Sequence, residues 1–408
     1  MREELLHFIW RFRHFDQREL YTESGETLRI ISPGRLNTDQ GPDFLQARIY
    51  VGGVLREGPV ELHVLASDWF RHGHDGDMHY RDTILHVVWD NDWRPFAGQS
   101  PTPGGIPLLV LSQRVSKLLL SRYERLLKNP VFVPCEHSLA QVDDGIRAPW
   151  QRALTLQRLE RRTLSIRGYL RDNRGHWEET TWWLMARAMG LPVNGTGFEA
   201  IARTLPVTML ARYRFRPQAL EALLLGQAGL PGDPSIKWEY DFLRTKHRLT
   251  PIGAPMSFLR MRPASFPTAR LTQLAALLAS GKGWFAIIRD TSTSEEVMKK
   301  LKECGIPGAD MRRGLLINAF IPLLYAYGQR DKALQWLGEL KAEKNHILRG
   351  WAARGVVVKD AAGSQALLEL KKEYCDKRRC LDCAIGRHLL RSEDLNPLSS
   401  ETPSPDSS

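Results

Sequence analysis

Three groups of residues in this chain have the types and spacing to do chemistry. The first is Asp43, which follows Gly41-Pro42, together with Glu61-Leu62-His63. Residues i and i+2 of a β-strand share a face, so on a strand Glu61 and His63 project together. A neighbouring strand that opens at Asp43 brings a second carboxylate alongside. Two carboxylates at one site suit a hard divalent cation, Mg2+ or Mn2+. Such an ion activates water and stabilises negative charge on a phosphodiester. Asp43, Glu61 and His63 are therefore the candidate catalytic residues, with Asp43 and Glu61 as metal ligands.

The second group is a run of histidines. Five of the chain's 12 lie between residues 63 and 86: His63, His72, His74, His79 and His86. Asp68, Asp75, Asp77 and Asp82 are interleaved with them. His72, His74 and His79, with Asp77, are candidate ligands of a second ion such as zinc. The other reading is a polar rim around the cleft. His86 lies inside an apolar stretch and reads as a hydrogen-bonded core residue.

The third group is Cys375-x4-Cys380-x2-Cys383, with Lys377, Arg378 and Arg379 between the first two thiols. Those cations favour the thiolate, the form that binds metal. Zn2+ and iron–sulfur clusters usually take four ligands. Cys135 is the first choice for the fourth, ahead of Cys304 and His388. A disulfide framework does not suit a chain of 408 residues without an export signal. Three reduced structural thiols are the remaining reading.

The elements that must position these groups can be read from periodicity. Residues 1–20 read as a helix, with Leu5, Leu6, Ile9 and Trp10 on the helical period and Glu3 and Glu4 in the first turn. The runs 28–32, 44–51, 60–65, 83–90 and 106–111 read as strands, and 67–80 as a short helix followed by a loop. The order α-β-β-β-α-β makes residues 1–112 one α/β module. From 113 to 390 the spacing turns helical, with long amphipathic segments at 115–127, 147–170 and 178–190, where Gly190 caps the last. Residues 391–408 are rich in Ser, Pro and acids and are expected to be disordered. The fold class is α+β.

Apolar residues make up 43% and charged residues 25% of the chain, ordinary values for a folded protein. No apolar run is long enough to cross a membrane. The N-terminus is charged from residue 2 and lacks the features of a signal peptide. A cytoplasmic protein is expected. Net charge is +11, unevenly spread. Residues 1–110 carry 11 Arg, no Lys and 16 acids, so the positive excess lies entirely beyond them. A basic surface is compatible with nucleic acid. Eight Arg against two acids fall between 147 and 174, where Arg158, Arg161 and Arg162 could track a phosphate backbone. Arg260, Arg262 and Arg270 add to them. Trp177, Trp182 and Trp183 could stack on bases, although tryptophans in a helix more often fill a core.

Element order and motif together resemble the PD-(D/E)XK nuclease superfamily. There an Asp opens the second strand and (D/E)XK lies on the third, matched here by Pro42-Asp43 and Glu61-Leu62-His63. Some members add a Glu from the first helix, a role open to Glu3 or Glu4. The motif's Lys is replaced by His63, which either takes over part of its role, ligates the metal, or marks a site that has lost catalysis. Some nucleases of that superfamily staple the domain with a four-cysteine 4Fe–4S cluster, one Cys far upstream and three near the end. Cys135 with the C-terminal trio has the same layout, although all four follow the nuclease-like core. Over a longer span, LNTDQGPDFLQARI, GPVELHVLASDWFRHGHDGDMHYRDTILHVVWDND, INAFIPLLYAYG, GSQALLELKKEYC and CLDCAIGRHLL resemble a bacterial family catalogued as domain of unknown function 2851. That resemblance carries no activity.

Other chemistries lack support. GLPVNGTGF (190–198) has no preceding Val/Ile-rich strand to make it a dinucleotide loop. SGKGW (280–284) lacks the first Gly of a P-loop. GxSxG, HExxH and EF-hand patterns are absent. The expected function is metal-dependent hydrolysis of phosphodiester bonds. The alternative is an inactive nuclease-like module that binds nucleic acid or serves assembly, stabilised by a Cys-bound metal. A zinc hydrolase acting through His72–His79 is third.

Overall fold

Leu5, Leu6, Phe8, Ile9 and Trp10 form one buried face of α1 (Glu3–Phe12). Arg13 closes the helix in a left-handed conformation. The computed structural model describes residues 1–97, 99–100, 102–128, 132–252, 256–259, 262–281 and 283–391. Contacts divide the chain into two compact units, residues 1–146 with 373–408, and residues 147–372. This division falls elsewhere than the boundary expected at 112. Residues 113–146 and the C-terminal cysteine segment belong with the first unit. Of the tail expected at 391–408, only Arg391 is described.

The first unit is built on a mixed sheet. Its strands are β1 (Leu28–Ser32), β2 (Arg35–Leu36), β3 (Phe44–Val51), β4 (Val54–Leu65), β5 (Leu85–Asp90) and β6 (Leu108–Val110). Their order is β1-β3-β4-β5-β6, with β2 paired to β3. β3 runs antiparallel to both of its neighbours, β1 and β4, whereas β4, β5 and β6 run parallel. The parallel step from β4 to β5 passes through α2 (Asp68–Arg71) and a 3-10 turn at Met78–Tyr80. β4 is longer than the strand expected at 60–65, because the Gly52-Gly53 turn lets β3 and β4 pair from Val51↔Val54 onward.

The two sheet faces are chemically unlike. Val60, Leu62, Leu85, Val87 and Leu109 are buried together with the apolar face of α1. The alternate residues Glu61, His63 and His86 are buried on the other side of the pleat. Polar groups buried there need partners, and the partners are supplied by the β4–β5 connection. α3 (Lys117–Lys128) and the C-terminal helix Ala384–Arg391 complete this unit, with Leu119, Tyr123, Leu126, Cys380 and Leu390 in its core.

The second unit is helical. α4 (Asp144–Asp172) enters it, followed by α5 (Trp177–Met189) and a succession of shorter helices. Its core includes Trp182, Trp183, Phe198, Leu223, Trp284, Phe320 and Trp336. Arg158, Arg161 and Arg162, expected to track a phosphate backbone, have partners inside this unit. Arg158 and Arg161 both pair with buried Glu369, at 3.1 and 2.6 Å. Arg162 donates to the carbonyls of Ile317 and Asn318. Trp182 is buried and its Nε1 donates to the carbonyls of Ala202 and Leu205, so it does not present a stacking face. Trp183 is buried and bonded to Glu179, and Trp177 stacks on Phe285. Arg260 lies outside the described residues. Among the described residues no single helix is long and apolar enough to cross a membrane.

Candidate metal centre

The antiparallel register Phe44↔Val60 sets Asp43 opposite Glu61. The two residues lock together. The Asp43 backbone N–H donates to Glu61 Oε2 at 2.9 Å, and the Leu62 N–H donates to Asp43 Oδ2 at 3.0 Å. The sequence therefore places both expected carboxylates at one point of the sheet. The left-handed Gln46 and a register shift between Phe44 and Ala47 bend β3 just after it.

α1 adds two more groups. Glu3 and His7 are one helical turn apart and share a face. Glu3, His7 and Asp43 each offer one ligand atom, all within 4.8 Å of one another. His7 Nε2 lies 3.2 Å from Asp43 Oδ2 but makes no aligned hydrogen bond. Burial works against the His7 cation, yet the Asp43 carboxylate more than offsets it and raises its pKa. Burial, with Asp43 next, raises the Glu3 carboxyl. Of the two acids considered on α1, Glu3 joins the site. Glu4 is exposed and belongs to neither ligand group.

A second group adjoins the first through Glu61. His63, His72 and His74 also bring ligand atoms within 4.8 Å of one another. His63 Nε2 is 3.1 Å from His72 Nδ1 and 3.5 Å from Glu61 Oε1. His74 Nε2 is 3.3 Å from the same Glu61 oxygen, and this buried nitrogen has no hydrogen-bond partner. An ion about 2.0–2.1 Å from each of four tetrahedral ligands has ligand–ligand edges of about 3.4 Å. Three of the six edges of such a set match, and His63, His72 and His74 form the mutually close group, so these three are suited to an ion of the zinc or manganese class with Glu61 Oε1 beside two of them.

Burial favours the neutral form of His63, His74 and His86. His63 is 1% exposed, and burial, then His74 and His72, push its pKa down to about 3. His74 is lowered by burial and by His72. His86 is lowered further, again chiefly by burial. Its Nε2 is 2.9 Å from His63 Nδ1, which fixes the His63 ring from behind. Burial and the Asp43 charge raise the Glu61 carboxyl well above the usual range. Neutral imidazoles are ready ligands, while a carboxyl held protonated is waiting for a cation. His63 therefore cannot stand in for the positive charge of a motif lysine. It stands beside His72 and His74 as a candidate ligand.

Packing holds the ring of histidines in place. Tyr80 stacks on His74 with ring centres 3.7 Å apart. Trp69 packs edge-on against His63 and His74. Gly104 has φ +62, and a Cβ there would stand 3.0 Å from the Trp69 indole nitrogen, so a side chain at this position is strained and presses on the ring. The expected zinc set is only partly assembled. His79 pairs instead with Asp77, which also caps its turn, and neither joins a ligand group. His7 was invisible to a reading centred on strands. Its signal was the i, i+4 spacing to Glu3.

Four of the five cysteines, Cys135, Cys375, Cys380 and Cys383, belong to the first unit. Cys135 begins the turn Glu136–Gln141, and Cys380 and Cys383 stand just before the C-terminal helix. None of the five cysteines is in a disulfide. Burial, followed by the nearby Cys383 and Cys380, pushes Cys135 up to about 12. Cys380 is likewise raised to about 12 by burial and Cys383. Cys304, the second choice for a fourth ligand, is buried in the core of the second unit. The Gly386 backbone lies against the Cys380 carbonyl with no room for a Cβ.

A family model described as a protein of unknown function (DUF2851) matches residues 3–308, about three-quarters of the chain. No curated protein and no solved structure matches.

Proposed function

The chain belongs to the DUF2851 family, and from that premise we propose that it is a metal-dependent hydrolase of phosphodiester bonds, a nuclease. The observation that carries this reading is the convergence of His7, Asp43, Glu61, His63, His72 and His74 through contacts of 2.9–3.5 Å, with Glu3 offering a ligand atom within 4.8 Å of those of His7 and Asp43. Two ligand groups that meet at one carboxylate fit a pair of ions. Bound there, the ions would supply charge stabilisation and an activated water. The chain's own residues hold the geometry. Asp43 is oriented by the Leu62 N–H, Glu61 by the Asp43 N–H, and His63 by His86. The order α1, three antiparallel strands, short helix and parallel strand supports the PD-(D/E)XK-like reading of this module. Mg2+ or Mn2+ suits the carboxylate group, and the histidine group adds preference for a softer ion.

The cysteine group supports a second metal, a zinc ion or an iron–sulfur cluster held by Cys135, Cys380 and Cys383 with Cys375 as the fourth ligand. Its role is structural, tying the C-terminal segment to the first unit. A buried, neutral His63 in place of a motif lysine favours one other reading. There the same centre only stabilises a module that binds nucleic acid.

Cleavage of single- and double-stranded DNA and RNA in Mn2+ separates the two. The hydrolase reading expects cleavage by the wild-type chain that disappears in Asp43→Ala with the fold retained. No cleavage by the wild type, or equal cleavage by both, rejects it.

A further inference from the structure

α3 carries an arginine that nothing in the metal centre uses. Arg122 is 9% exposed. Its Nε and Nη2 are buried and have no hydrogen-bond partner. An unpaired buried guanidinium is costly, and native proteins rarely keep one without a compensating anion. Arg122 lines a cavity of about 620 Å3, and Arg114 and Arg391 line it too.

The charges around the cavity do not cancel. Asp16, its one lining acid, is taken up by Arg18 in a two-point pair, with Nη2 2.8 Å from Oδ2. Arg114 spends its guanidinium on the backbone carbonyls of Arg18 and Glu19, at 3.2 and 3.1 Å, and keeps its charge. Arg391 lies over the Phe12 ring, with Nε 3.1 Å from His14 Nε2. Burial and Arg391 lower the His14 pKa, so the ring accepts that bond as the neutral form. Three cations thus face one space without a carboxylate of their own. Beside them the wall carries apolar Phe15, Leu119 and Leu390, with Gln113 and Ser116 as neutral polar groups.

We infer that this cavity is a binding site for a phosphate-bearing small ligand, its oxyanion held by Arg122 with Arg114 and Arg391. Planar guanidinium groups match phosphate oxygens in two-point contacts. The volume exceeds that of a bare phosphate, and the apolar wall beside the cations suits the base of a nucleotide. The site is distinct from the metal centre. Glu3 and His7 stand in the first half of α1, whereas His14, Asp16 and Arg18 follow its C-terminal end.

Calorimetric titration of the full chain, with inorganic phosphate and separately with AMP at constant ionic strength, tests the assignment. Binding of both, with AMP tighter, is expected. Equal affinities support the oxyanion site with free phosphate as the occupant. Arg122→Met keeps the length of the side chain and removes its charge. It is expected to raise Kd roughly 10- to 100-fold, the loss of one charge-assisted contact, without lowering the melting temperature of the ligand-free chain. Arg391→Gln gives a second reading if that variant fails to fold, and is expected to weaken both ligands at least about threefold. Absence of binding by the wild type overturns the assignment. So does binding of unchanged affinity in the folded variants, since a phosphate held at the metal centre would survive both substitutions.

Discussion

Glu61→Gln tests whether the carboxyl between the two ligand groups is held protonated until a cation arrives. Burial and the Asp43 carboxylate raise its pKa from the ordinary 4.5 to above neutrality. An acid raised in the folded state contributes its full stability below its unfolded pKa and loses it as pH climbs toward the folded value. Each pH unit in that window costs about 1.4 kcal/mol. From pH 4.5 to pH 7 the metal-free wild type therefore loses about 3 kcal/mol relative to Glu61→Gln, for any folded pKa above 7. The buried histidines titrate in both proteins, so their effect falls out of the difference. The assay is urea unfolding of the chelated full chain at pH 5, 6 and 7, read on the transition that added Mn2+ shifts. The wild type is expected to fall behind the variant as pH rises, and Mn2+ to reverse the order. Parallel pH profiles would show that Glu61 is ionised at its ordinary pKa, and the account of the centre as a charge-starved site would be wrong.

Other outcomes follow from the same contacts. With metal removed, His63, His74 and His86 resist protonation, so the chain is expected to lose stability as pH drops from about 6.5 toward 3, by about 1.4 kcal/mol per proton and pH unit, seen as a falling melting temperature. Bound metal should come off over the same interval, measured by atomic emission after dialysis. Gly386→Ala forces a Cβ against the Cys380 carbonyl, and the purified variant should lose metal or cluster content, read by elemental analysis and absorbance, while Asp43-dependent chemistry persists. In the second unit, Glu369→Gln leaves Arg158 and Arg161 without their shared carboxylate. A loss of about 1–3 kcal/mol in the unfolding transition of that unit is expected, because Arg161 is half exposed and Arg158 keeps its bond to Gln365.

How much of this was legible in the sequence differs from one element to the next. The strands could be read because Val60, Leu62, Leu85 and Val87 alternate with polar positions, and alternation is a local signal. The pairing of Asp43 with Glu61 followed from strand order. The partition of the histidines did not. His63 leaves Asp43 for His72 and His74 because the β4–β5 connection folds back over the polar face, and loop geometry has no periodicity to read. His79 and Asp77 satisfied each other through a local turn. The arginines of α4 looked like a solvent-facing stripe, but Glu369, more than 200 positions later, meets them. Pairing across such a separation leaves no trace in composition. The same is true of Arg122, whose isolation appears only when the cavity around it is seen.

The most direct test of the central claim is hydrolysis of a model phosphodiester followed while Mn2+ or Zn2+ is titrated into the chelated chain and occupancy is counted. The account predicts no turnover without metal and activity that rises with filling of the sites. Asp43→Ala and His72→Ala should each lower both occupancy and rate. Full occupancy with no hydrolysis of any phosphodiester would contradict it, as would hydrolysis indifferent to Asp43.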